Sequence, residues 1–259
     1  CYADEGFTTV ATNPCGEIPL CPYDSCRLLA INLLSYVDKP FTKEASFNFE
    51  KFKQHVEKAM RMMDDIIDLE LEKIELIINK IAADPEDEDI RRVELELWKK
   101  IRTMARKGRR TGLGITAEGD MLAALGLRYG TPEATAFAVK VQKTLALEAY
   151  RASVKMAAER GAFEIFDARK EEKNPMIGRI READPELYAE MVKHGRRNIA
   201  MLTIAPTGTT SLMSQTTSGI EPVFRPVYKR RRKINPSDQD AKVAFVDDMG
   251  EKFEAVSYT

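Results

Sequence analysis

The chain has 259 residues, 44% hydrophobic and 31% charged, enough apolar content for one large domain or two small ones, each with a buried core. Forty Lys and Arg against 41 Asp and Glu leave a formal charge of -1, so no global field favours duplex nucleic acid or a membrane surface. No apolar run reaches the roughly 18 residues of a membrane span and no charged-then-apolar leader opens the chain, so a cytoplasmic location with reduced thiols is expected.

Residues 1–46 lack helical periodicity and are broken by Pro14, Gly16, Pro19, Pro22 and Pro40. They read as a loop carrying the cysteines, flanked by short strands near 7–11 and 29–34. From Asn48 the apolar positions Phe52, Val56, Ala59, Met60, Met63, Ile66 and Ile67 recur at three and four, which predicts an amphipathic helix continuing toward Ala83. Its methionines, Met60, Met62 and Met63, read as core filling. A turn at Pro85 precedes a second helix over 90–106. RRTGLGI (109–115) reads as a tight glycine-containing turn leading into a strand, followed by a short helix over 117–125. A strongly periodic helix over 133–160 ends at Gly161, and another covers 185–193. NIAMLTIA (198–205) has strand length and stops at Pro206. After Pro226 the five cations KRRRK (229–233) read as a solvated segment, and little pattern follows.

Three of the four cysteines fall within TNPCGEIPLCPYDSC, residues 12–26. Zinc ligation would want four ligands in paired short spacings, whereas Cys15, Cys21 and Cys26 are six and five apart, and His55 and His194 sit on predicted helices; no metal site and no role for either histidine is expected. Packing as a small hydrophobe suits Cys21 beside Leu20 and Pro22. It suits Cys15 poorly, between Pro14 and Gly16 on a constrained turn. A catalytic reading is the third. Asn13, Cys15 and Glu17 alternate, so in an extended or loop-tip backbone an amide, a sulfur and a carboxylate would face one side. An amide orients a hydroxyl, a carboxylate takes its proton, and a sulfur does redox or radical chemistry. Cys26 would bring a second thiol to the same pocket.

A second candidate follows the 198–205 strand. Pro206, Thr207, Gly208, Thr209, Thr210 and Ser211 form a turn whose hydroxyls can join backbone N–H groups at a helix start, an anion site in prospect. Gly208 is the position expected to need positive φ and close backbone approach. The Walker spacing is absent, so NTP hydrolysis is not indicated.

Asn-Pro-Cys-Gly-Glu, then Pro-Tyr-Asp-Ser-Cys, Ile31-Asn32-Leu33, RRTGLGI, APTGTTS (205–211) and TSGIEPVF (217–224) together resemble the catalytic subunits of ribonucleotide reductases, most closely the adenosylcobalamin-dependent class II. The resemblance implies an α/β fold: the second half of a ten-stranded α/β barrel with a cysteine-bearing finger loop through its centre. Residues 1–259 would then be a partial barrel domain, with the N-terminal half and the C-terminal cysteine tail lying elsewhere. It implies that Cys15 carries a thiyl radical abstracting the ribose 3′-hydrogen, Glu17 is the base for the 3′-hydroxyl, and Asn13 binds substrate hydroxyls. Cys26 is implied as half of the reducing dithiol, its partner upstream of this sequence, and 206–211 as the substrate phosphate loop. The implied cofactor is adenosylcobalamin. The implied partners are the ribonucleotide, the missing N-terminal half, a thioredoxin-like or small dithiol reductant, and a second copy in a homodimer of the full enzyme. The alternative is a catalytically incomplete fragment that acts only as a folding or assembly half.

Overall fold

The computed structural model describes residues 1–259 except Cys26, Pro226, Pro236, Gln239 and Thr259, and the side chains of Tyr228, Ser257 and Tyr258. Two compact units are present, Cys1–Pro222 and Val223–Thr259. The larger opens with a two-residue hairpin, β1 (Ala11–Thr12) and β2 (Pro19–Leu20), followed by β3 (Leu28–Asn32) and a small antiparallel pair, β4 (Val37–Asp38) and β5 (Ser46–Phe47). The predicted strand near 7–11 thus shrinks to the start of this hairpin.

Two long helices follow, α1 (Phe49–Ala82) and α2 (Glu88–Gly108). Asn48 caps α1 by accepting the Lys51 N–H, and Phe52, Val56, Ala59, Met60, Met63, Ile67, Ile74 and Ile78 form its buried stripe. Met62 departs from the expected core group and is exposed. The chain then returns as β6 (Gly112–Thr116), parallel to β3 in the register Leu28↔Gly112 to Asn32↔Thr116. The glycines of RRTGLGI therefore lie in the strand and not in the turn. Arg109 makes the left-handed turn (φ 48°) instead, closing α2. Side chains have no room at the two glycines of β6: a Cβ at Gly112 would lie 2.7 Å from the Arg27 carbonyl oxygen, and one at Gly114 2.1 Å from that of Thr203. The 198–205 run lies against the other side of β6, where Leu113 donates to Met201 (2.7 Å), Thr203 donates back to Leu113 (2.9 Å), and Leu202 bridges Leu113 in parallel.

Helices α3 (Glu118–Ala124), α4 (Pro132–Arg160), α5 (Ala168–Glu171), α6 (Pro175–Ala183), α7 (Pro185–His194) and α8 (Gly208–Ser214) complete the unit. Helix α4 packs against α1 and begins at a Thr131 cap with Pro132 in its first turn. The arrangement is α/β, and among the described residues the parallel strands do not close into a barrel. No helix of the described residues is long and apolar enough to cross a membrane.

A buried polar cluster holds the elements behind the strands. Asp64, on the apolar stripe of α1 and with no exposed surface, accepts from Arg109 Nε (2.8 Å), Arg197 Nε (3.1 Å) and Asn198 Nδ2 (3.1 Å). Asn198 Nδ2 also donates to the Arg109 carbonyl (3.0 Å), and its Oδ1 accepts from Ser153 of α4 (2.9 Å). Burial works against the charged Asp64, but the Arg109 hydrogen bond and the charges of Arg109 and Arg197 prevail and hold its carboxyl below the ordinary range. A second buried pair, Arg196 with Glu171, sits among the rings of Tyr150, Phe163 and Phe166.

The smaller unit is a three-stranded antiparallel sheet in the order β7 (Tyr228–Lys233), β9 (Lys252–Tyr258), β8 (Phe245–Val246). The cationic run is thus strand β7, with Arg231 stacked 4.0 Å over the Phe245 ring.

Candidate active site

The β1–β2 connection is a turn closed by Asn13. Its side-chain oxygen accepts the Ile18 N–H (2.9 Å), its own N–H donates to the Ile18 carbonyl (3.2 Å), and its carbonyl accepts from Gly16 (3.0 Å). Gly16 supplies the left-handed residue this path needs (φ 79°), and buried Ile18 anchors the turn. Cys15 stands exposed at the tip and Glu17 is half-buried beside it. The backbone is therefore a loop tip and not an extended strand. Asn13 spends its acceptor on the turn and does not line the cavity described next.

That cavity, about 430 Å³, lies against β3 and β6 and brings Cys15 and Glu17 together with Thr203 and the run 205–210. Thr203, the lone hydroxyl in an otherwise apolar stretch from Ala200 to Ala205, donates from Oγ1 to the Glu17 carbonyl (2.9 Å) across 186 residues of sequence. Glu17 Oε2 is buried and has no hydrogen-bond partner among the described residues. An unpartnered buried carboxylate oxygen is costly, and this one belongs to a residue that lines the cavity. Replacing Thr203 by near-isosteric Val should cost about 1–2 kcal/mol in urea unfolding, because the hydrogen bond is lost and the Glu17 carbonyl left unpaired, while Thr203→Ser should cost much less. Equal midpoints for all three chains would mean that the contact anchors nothing.

On the opposite wall, Pro206, Thr207, Gly208, Thr209 and Thr210 reach the cavity, but Ser211 does not. Ser211 is buried, and its hydroxyl turns back to the Gly208 carbonyl (2.8 Å). The backbone expectation for this loop is also corrected. Gly208 does not have positive φ, and a Cβ there would meet nothing within 4 Å; the left-handed residue is Thr207 (φ 52°). Beside the loop, the 217–219 segment, whose Gly219 N–H donates to Thr207 Oγ1 (2.8 Å), is held by Asp120 of α3, which accepts the Thr217 N–H (2.7 Å) while its own N–H donates to Thr217 Oγ1 (3.2 Å). Thr203, Asp120 and Thr217 escaped sequence reading because each acts through a partner roughly a hundred residues or more away.

Cys26 lies outside the described residues. Cys21 is buried, and burial pushes its thiol pKa up against the pull of nearby Arg110. That is an inert setting. His55 bonds the Tyr36 hydroxyl through Nδ1 (2.9 Å). A larger groove, about 840 Å³, runs between α4 and α6 with Glu118 in its wall. It contains neither the cysteine turn nor the 205–210 run, so the smaller cavity is where the candidate groups meet.

The fold and site are those of an α/β scaffold that holds a thiol and a carboxylate opposite a hydroxyl-rich loop. The profile of the ribonucleotide reductase barrel domain matches residues 3–250, and the chain belongs to that family. It is 32% identical over 221 residues to the vitamin B12-dependent ribonucleoside-diphosphate reductase of Mycobacterium tuberculosis (strain CDC 1551 / Oshkosh), covering 85% of this chain and 25% of that one. The protein of the same description from Thermoplasma acidophilum is 34% identical over 220 residues, with 85% and 23% covered. Among solved structures, the Actinobacillus ureae class Id ribonucleotide reductase alpha subunit superposes with a TM-score of 0.56 at 21% identity, over 85% of this chain and 33% of that one. The chain spans about a quarter of the length of these curated relatives.

Proposed function

We propose that this chain carries the radical-bearing thiol, the proton-accepting carboxylate and the phosphate loop of an adenosylcobalamin-dependent ribonucleoside-diphosphate reductase working in the cytoplasm. The observation that carries the reading is the cavity that joins Cys15 and Glu17 to the 206–210 loop. The names of the two curated relatives support the diphosphate substrate and the cofactor. The parallel β3, β6 and 201–203 segments would be consecutive strands of a ten-stranded barrel, with the Asn13–Ile18 turn as its finger loop.

The chemistry follows from the groups present. As a thiyl radical, Cys15 takes the ribose 3′-hydrogen and becomes a thiol. Glu17, through its unpartnered oxygen, takes the 3′-hydroxyl proton. The 2′-hydroxyl then leaves as water on a proton from a dithiol, Cys26 and a cysteine outside this sequence, which closes to a disulfide as its two electrons and second proton go to the 2′-carbon; Glu17 returns its proton to the 3′-oxygen. Cys15 returns a hydrogen atom to the 3′-carbon and is a radical again. The sum is ribonucleotide plus two thiols giving deoxyribonucleotide, water and one disulfide, which a thioredoxin-like protein or small dithiol reopens. Adenosylcobalamin would supply the radical chemistry that first removes the Cys15 thiol hydrogen. The fit available here is one of access: Pro14, Cys15 and Gly16 are all exposed at the turn tip, and these residues would face it. A homodimer of the complete enzyme, with the rest of the barrel supplied from outside this sequence, completes the proposal.

The Gly208→Val variant tests the substrate side. Because Gly208 faces open space in the cavity wall, a branched side chain would fill the room a phosphate needs without straining the backbone. Calorimetry on the complete reductase should show ribonucleoside diphosphate binding weakened by about tenfold or more, the factor that ~1.4 kcal/mol represents. Unchanged affinity would remove the loop from the proposal.

The assembly-only reading rests on one observation: among the described residues β3 has β6 as its sole strand neighbour, leaving an edge open to pairing. Native mass spectrometry of the assembled protein separates the two, since turnover requires a polypeptide that supplies the second cysteine.

A further inference from the structure

We propose that Thr116, a residue with no surface in the cavity, is a positioning residue for the phosphate loop, and that the Thr207 hydroxyl is a latch held by Thr116 and not a contact to substrate. The inference rests on the phosphate-loop reading above and changes the role given to one of its members.

Thr207 adopts φ 52° and ψ 22°, a left-handed conformation that a β-branched residue avoids unless its surroundings impose it. Facing it, Ala117 is also left-handed at φ 63°. Two such residues thus lie where the end of β6 meets the loop. The hydrogen bonds there show what imposes the Thr207 conformation. Gly219 N–H donates to Thr207 Oγ1 (2.8 Å), Thr207 Oγ1 and Thr116 Oγ1 lie 2.9 Å apart, and Thr116 Oγ1 is 3.2 Å from the Thr217 carbonyl.

A hydroxyl has one proton to give. The Thr217 carbonyl can only accept, so Thr116 gives it its proton, and Thr207 must then give its own to Thr116. The chain of bonds has one direction: Gly219 N–H to Thr207, Thr207 to Thr116, Thr116 to the Thr217 carbonyl. With its proton committed, Thr207 has no donor left for an anionic phosphate oxygen. What the latch provides is backbone direction, since the left-handed turn at 207 sends Gly208, Thr209 and Thr210 along the cavity wall. Thr116 sits at the last position of β6, buried to 2% exposure, and its neighbour Ala117 donates its N–H to the same Thr217 carbonyl (3.1 Å). The strand end, the 217–219 segment and the phosphate loop are thereby tied at one point.

The test is a pair of substitutions in the complete reductase, read by turnover kinetics and by binding of cytidine diphosphate. Thr116→Val keeps the shape and removes the hydroxyl. It should raise KM and the dissociation constant by about tenfold, the loss of one or two buried hydrogen bonds, with the change falling on KM and not on kcat. Thr116→Ser should restore affinity, and the Gly219 amide should exchange faster with solvent in Thr116→Val than in the parent. The decisive arm is Thr207→Gly, which needs no latch to hold positive φ. Whatever that change costs by itself, Thr116→Val added to it should cost nothing more. The same loss in both backgrounds, or no loss in either, overturns the inference. Failure of the phosphate-loop reading itself looks different: Gly208→Val would then also leave affinity unchanged.

Discussion

Changing Cys15 to Ser should abolish deoxynucleotide formation by the complete reductase and leave its folding and nucleotide affinity intact. The structural reason for intact folding is that Cys15 stands exposed at a turn whose closure depends on Asn13, Gly16 and Ile18 and not on the sulfur. The chemical reason for lost turnover is that an O–H bond is too strong for a seryl oxygen to shuttle hydrogen atoms with a sugar carbon. Deoxynucleotide product is measured by chromatography after a fixed time, beside the thermal midpoint and the binding isotherm. Turnover by the serine variant within a factor of ten of the parent would remove the radical role from this residue.

The largest effect on stability is expected at Asp64. Asp64→Asn keeps the size of the side chain but takes the anion from Arg197 and leaves the buried Arg109 with Asp68 alone, and breaking a buried charged network in this way costs about 3–5 kcal/mol. The pH dependence has a definite sign. Asp64 has a lower pKa folded than unfolded, so the stabilisation it contributes is present in full above the unfolded value, about 3.9, and is lost as pH falls toward the folded value. Parent and variant should therefore differ by a constant amount in urea unfolding near neutral pH and converge below about pH 4. A gap that persists unchanged into acid would show that the side chain acts by shape and not by charge.

The helices were legible because their causes are local. The stripe from Phe52 to Ile67, the Thr131–Pro132 start and the Gly161 stop all lie within one or two turns of what they determine. The loop tip at Cys15 and the hydroxyl-rich 206–210 run were legible for the same reason. What sequence could not show was set at long range. The glycines of RRTGLGI read as a turn because Gly signals turns in general, whereas here they make room for the Arg27 and Thr203 carbonyls. Asn13 and Ser211 have the polar groups that substrate contact requires, yet each uses its side-chain oxygen within its own turn, a competition that composition does not reveal. The sequence beyond residue 240 shows little pattern because β8 is two residues long and β9 takes its partner from the cationic run, a segment that reads as solvated.

The hydrogen bond between Thr203 and Glu17 also has a kinetic meaning. Loop-closure entropy opposes contacts between residues far apart in sequence until the intervening elements are in place, and this contact closes 186 residues that include α1, α2 and α4. The cavity wall is therefore expected to close after those elements have formed. Until then the cysteine turn, built from neighbours in sequence, exists with its thiol and without the opposite wall. A half-folded chain therefore carries the exposed Cys15 thiol without the wall that the 205–210 run supplies beside it.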